Sequence, residues 1–201
     1  MKLHPILRPA GIAVLAALGL SLAGCSSTKP KPYVEHPVDQ LYNSALDTLN
    51  SGQYQKAAKD FDDVEREHPY SVWATKAELM AAFAYYEGNK YDDAILAAQR
   101  YTQLHPGDKD VAYAYYLIAI CYYEQITDVQ RDQKITTQAL AALREVVRRF
   151  PDTAYARDAR LKIDLARDHL AGKEMSVGRY YLDRGDYTAA INRFRVVVVR
   201  Y

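Results

Sequence analysis

From residue 38 onward the chain repeats itself with a fixed step, and a step of this length leaves few architectures open. Tyr54, Ala57 and Pro69 recur as Tyr91, Ala94 and Pro106, each 37 residues later. Ala45, Ala82 and Ala119 stand on the same 37-residue ladder, but Ala139, Leu143 and Pro151 come 45 residues after Ala94, Ala98 and Pro106. The difference places an insertion of eight residues between the two helices of the third unit, within 127–137. A last copy carries Gly178, Tyr181, Gly185, Tyr187, Ala190 and Phe194.

Each unit reads as helix, glycine, tyrosine, helix, proline, which matches the tetratricopeptide pattern L-G-x2-Y, A-x3-F, P. The residue types have a physical reason. Small side chains at Ala45, Ala82, Ala119 and Gly178 let the first helix approach the second, and Ala57, Ala94, Ala139 and Ala190 do the same from the other side. Proline after His68, His105 and Phe150 stops the second helix, because it cannot continue the hydrogen bonding and disfavours helical geometry in the residue before it. Between Pro151 and the last copy the charge-rich segment with Leu161, Leu165 and Leu170 predicts one long or kinked first helix over about 154–184, with Gly172 the candidate kink. No alternating run of strand length occurs, and Val196 to Val199 suits the buried side of a helix. The expected fold is an all-α tetratricopeptide-repeat (TPR) solenoid of about four helix pairs, an architecture that generally binds rather than catalyses.

Ahead of the repeats, Lys2 and Arg8 precede an apolar stretch from Ile12 to Leu22 that is too short to span a bilayer. Leu22-Ala23-Gly24-Cys25 then resembles the lipobox of bacterial lipoproteins, so residues 1–24 read as a signal peptide and Cys25 as the acylated anchor. In lipoproteins of the enterobacterial type an Asp after the Cys favours inner-membrane retention; Ser26 stands here, which implies the outer membrane, periplasmic face. Residues 25–37, with three prolines after the anchor, read as a tether, and 38–201 as the TPR domain. Without Cys25 only Cys121 remains, so no intramolecular disulfide holds the mature fold.

The chain has no HExxH, no paired CxxC, no GxSxG and no phosphate-binding glycine loop, which removes metal and acyl-transfer enzymes and calls for no cofactor beyond the covalent lipid. A formal net charge of +1 excludes a sequence-independent nucleic-acid binder. His68 and His105, 37 apart, read as helix C-terminal caps rather than a catalytic pair. Cys121 reads as a small hydrophobe, and Asp62-Asp63 and Asp92-Asp93 as solvated helix faces.

Two features point to binding. Counting from the ladder alanines puts Tyr42, Leu46, Leu49, Phe83, Tyr86, Tyr116, Ile120 and Tyr123 on the concave face, either as an aromatic trough for peptide anchors or as packing between units. The 18 tyrosines, against 4 Phe and 1 Trp, suit such a wet surface. Charge is also polarised: residues 26–143 hold 11 Lys plus Arg against 17 Asp plus Glu, and residues 144–201 hold 13 against 8. Opposite signs at the two ends suggest two surfaces with different partners.

The lipobox, the tether, Ala81-Ala82-Phe83-Ala84-Tyr85-Tyr86, Phe150-Pro151-Asp152-Thr153, the stretch Ser176 to Tyr181, Arg184-Gly185 and Asn192-Arg193 together resemble the BamD (ComL) family. These are lipoproteins of the outer-membrane β-barrel assembly machinery. The resemblance implies a non-enzymatic subunit whose N-terminal repeats receive unfolded outer-membrane proteins. It also implies that the C-terminal repeats dock a BamA-like barrel subunit through Arg193, with Arg184 in a lesser role, beside other assembly-machinery lipoproteins. Family members continue past the position of Tyr201 through a further helix pair, so the chain is expected to be C-terminally truncated. The repeat alone would equally serve a periplasmic TPR lipoprotein scaffolding envelope or division proteins.

Overall fold

The computed structural model describes residues 36–129 and 131–201; Cys25 and the rest of the leader and tether lie outside them. Among the described residues eight α-helices follow one another: α1 (Val38–Asn50), α2 (Tyr54–Glu67), α3 (Val72–Glu87), α4 (Tyr91–Leu104), α5 (Val111–Glu124), α6 (Lys134–Arg149), α7 (Ala154–Asp183) and α8 (Tyr187–Arg200). No strand occurs among the described residues, as the repeat pattern requires. Every helix packs on its neighbours in sequence, and in addition α1 touches α3, α3 touches α5 and α5 touches α7. The even-numbered helices make no such contacts with one another among the described residues. The odd helices therefore form an inner layer and the even ones an outer layer, the arrangement of a stacked repeat.

The seam between the layers is built from the small residues on the ladder. Ala45, Ala57, Ala82, Ala94, Ala119 and Ala139 are wholly inaccessible, and Ala190 and Gly178 are buried. Into the space they leave fit Phe61, Val64, Leu143 and Val146, also wholly buried. Helix ends follow local chemistry. Ser71 Oγ accepts from the backbone N–H groups of Trp73 and Ala74 at the start of α3, and Thr153 Oγ1 accepts from Ala156 N at the start of α7. At the other ends His68, His105 and Phe150 take nearly one conformation, φ −133°, −125° and −130°, each just before its proline.

Helix α7 is the single long helix expected, helical through Gly172 over 30 residues, and the glycine also serves packing: a Cβ there would lie 3.3 Å from Cγ1 of Val129 in the α5–α6 loop. Two details differ from the sequence expectation. His68 and His105 stand at the C-cap positions and close them with their backbone N–H groups on Val64 and Tyr101, but their imidazoles reach elsewhere. His105 Nε2 lies 3.1 Å from Glu78 Oε2 on α3, and His68 Nε2 lies 2.8 Å from the His36 carbonyl, so each ties its helix end to an earlier element. Val198 and Val199 are exposed, while Val196 and Val197 are half-buried, because a helix stripe of four consecutive residues cannot face one side.

Candidate peptide-binding groove

The inner layer carries a cavity of about 370 Å³ between α1, α3 and the loop before α5. Its apolar side comes from Tyr42, Leu79 and Met80, and its rim from Lys76, Asp108 and Lys109. Tyr42 is positioned by two aromatic contacts, an edge on Phe61 at 5.5 Å and a tilted approach to Trp73 at 4.8 Å. Lys76 extends over the Trp73 ring, 5.0 Å from its centroid, which leaves an ammonium beside the apolar floor. On the far wall the Tyr101 hydroxyl donates to Asp108 Oδ1 at 2.8 Å, and the Asp110 N–H donates to the same oxygen at 2.8 Å. The Asp110 amide and then the Tyr101 hydroxyl hold the Asp108 carboxyl below the usual range. Burial, and then that hydrogen bond, push the Tyr101 hydroxyl well up. This wall is thus a fixed, polar edge on an apolar trough.

The eight expected trough residues do not gather in one place. Tyr42 lines the cavity just described. Leu46 and Phe83 pack partly buried on the first core cluster, and Leu49, at 8% exposure, is inside it. Tyr86 packs in the second cluster, its ring 6.1 Å from that of Tyr91. Tyr116 donates to Asp158 Oδ2 at 2.6 Å and stacks at 5.2 Å on Tyr155, which binds α5 to α7. Ile120 is buried, and Tyr123 lies under Lys162, 5.2 Å from the ring centroid, beside a separate cavity along α7. Sequence counting missed Lys76 and Leu79, although they stand 37 residues after Asp39 and Tyr42 and the ladder would have found them.

At the other end Arg193 on α8 donates from Nη1 to Glu174 Oε2 of α7 at 3.1 Å, with side-chain exposures of 45% and 21%. It is accessible but already paired inside the chain. Arg184 donates to the Tyr180 hydroxyl at 2.7 Å and covers that ring. The face also exposes Tyr180, Tyr187 and Ile191. Among the described residues no cluster of His, Cys, Asp and Glu is arranged to hold a metal, and no helix is long and apolar enough to cross a membrane.

Paired helices with an alanine seam, an inner layer and a groove upon it define a helical-repeat scaffold of the tetratricopeptide type. The chain belongs to the outer membrane lipoprotein family whose model, YfiO, matches residues 34–201. It is 50% identical over 197 residues to the outer membrane protein assembly factor BamD of Caulobacter vibrioides, covering 96% of this chain and 65% of that one. Against the protein of the same name from Rickettsia prowazekii the identity is 41%, covering 94% and 76%. Among solved structures MamA from Desulfovibrio magneticus RS-1 is similar at 18% identity, covering 81% of this chain and 74% of that one, with a TM-score of 0.45.

Proposed function

We propose that this chain is a non-enzymatic subunit of the machinery that assembles β-barrel proteins into the outer membrane, held at the periplasmic face by a lipid on Cys25. The observation that carries the reading is the family match across 34–201, with relatives named as assembly factors. In this reading the groove at Tyr42, Leu79 and Met80 receives extended segments of unfolded outer-membrane proteins, with apolar side chains on its floor and polar ends against Lys76 and Asp108. The α7–α8 face docks the barrel-forming subunit through Arg193, assisted by Arg184. No cofactor is involved beyond the covalent lipid.

Co-purification of the acylated chain in mild detergent tests the assignment. A large barrel protein should be recovered with it, and Arg193→Glu should weaken that association by about 2–4 kcal/mol through a lost ion pair and a new repulsion. Recovery of no barrel protein with the acylated wild-type chain would overturn the assignment. For the anchor, Cys25→Ser should abolish incorporation of labelled fatty acid; undiminished labelling would refute it.

A further inference from the structure

The insertion in the third unit creates a second cleft. Its loop between α5 and α6, of which residues 125–129 and 131–133 are described, is shaped by the Gln133 side chain, whose Nε2 donates to the carbonyls of Val129 at 3.1 Å and Arg131 at 3.0 Å. Val129 lies against α7 at Gly172, where a Cβ would come within 3.3 Å. Two cavities, of about 440 and 550 Å³, lie between this loop and α7 and share Val129 and His169. The first has an apolar side of Tyr123, Ile126, Val129 and Leu165 and a rim of Glu124 and Asp168.

Two features fit this cleft to a partner. Leu165 is 54% exposed there, an apolar side chain facing the cavity rather than the core. Glu124 and Asp168 are exposed and set acidic charge beside the apolar floor. Loop insertions on a repeat scaffold also commonly carry binding.

We propose that this cleft is a second recognition site, which takes a protein segment presenting an aliphatic or aromatic side chain next to an arginine or lysine. The anchor side chain packs on Ile126, Val129 and Leu165, and the cation meets Glu124 and Asp168. Of the trough residues expected from sequence only Tyr123 lines this cleft, and none of the α1–α3 groove residues does. The two sites therefore stand or fall separately.

The test is fluorescence anisotropy of the whole chain in detergent micelles with an amidated, fluorescein-labelled peptide centred on Leu-Phe-Arg. Saturable binding is expected. It should weaken at least ten-fold in Asp168→Lys and in Leu165→Glu, two exposed positions whose substitution leaves the helix intact, and in a peptide with Glu for Arg. Tyr42→Ala should leave it unchanged, and hydrogen exchange should show protection gained in 125–133 and the middle of α7. Absence of saturable binding, wild-type affinity in both cleft variants, or protection confined to α1 and α3 would overturn the proposal.

Discussion

Gly178→Ala is the most stringent perturbation of the alanine seam, because α8 places a ring where a methyl group would go. A Cβ on Gly178 would stand 2.7 Å from Cδ1 and 3.0 Å from Cζ of Phe194, and closer still to Cε1. Carbon atoms at rest lie about 3.5–4.0 Å apart, so the ring must retreat by roughly an ångström, and Phe194 is half-buried with Ala190 fixed one turn away. Overpacking of this kind costs about 1–3 kcal/mol, and the upper end applies since the contact is face-on to a rigid ring. Replacing a mid-helix glycine by alanine returns about 1 kcal/mol of helix propensity. The net expectation is a loss of about 2 kcal/mol, a factor of roughly 30 in the opening equilibrium of the α7–α8 pair. Because stacked units touch only their neighbours, hydrogen exchange should accelerate in α8 and the end of α7 while α1 to α4 keep their protection. Phe194→Leu in the same background should restore part of the loss. A variant with a raised melting temperature and unchanged protection of α8 would refute the reasoning, since propensity alone would then decide.

Asn89 sits at φ 55°, the position filled by Gly52 and Gly185 in the other units at φ 78° and 80°, so Asn89→Gly should leave stability within error. Asn89→Val should cost about 1–2 kcal/mol by urea unfolding, because a β-branched side chain resists the left-handed region. Burial, and then Glu124, push the Cys121 thiol up to about 12, so with its side chain wholly inaccessible it should ignore a disulfide reagent near pH 8 until guanidinium unfolds the chain. The Asp108 carboxyl is held below its usual 3.8, so its stabilisation is present above that value and lost as pH falls through the lower folded value. The stability difference between wild type and Asp108→Asn should accordingly be full near pH 7 and shrink as acid protonates the folded carboxyl, measured by thermal unfolding. A difference that grows in acid would reverse the sign of the argument.

The alanine ladder was legible because a close helix approach admits few side chains, so sequence and geometry are tied residue by residue. The insertion was legible for the same reason, as a change in step. Glycine was less informative, since one residue type serves several ends. Pairing Gly52 with Gly88 by eye conceals that Asn89 takes the left-handed turn, while Gly88 is small because a Cβ would lie 3.2 Å from that of Tyr54. Gly172 reads as a candidate kink in one dimension, and sequence alone does not show that it also seats Val129, a contact that only the folded loop brings about. The trough was partly legible. Periodicity put Tyr42 and Leu49 on one face, yet Leu49 turns inward and Tyr42 lines a cavity, because the neighbouring helix decides which part of a face is covered.

Arg193 shows how an internal partner bears on a residue proposed for docking. Its pair with Glu174 joins α7 to α8 at 3.1 Å, but with 45% of the Arg193 side chain exposed the pair is screened and contributes at most about 1 kcal/mol. Releasing the guanidinium to a partner's carboxylate is therefore cheap, provided that Glu174 keeps some access to water, and it is 21% exposed. Arg193→Glu would place two carboxylates where one ion pair stood, so part of any lost association could arise from a displaced α8 rather than from docking. Glu174→Gln separates the two effects, since it removes the internal pair while leaving the guanidinium in place. If Arg193 meets an acidic partner, Glu174→Gln should hold or raise recovery of the barrel subunit, while Arg193→Glu lowers it. Equal losses in both variants would mean that the residue only fastens α8 to α7.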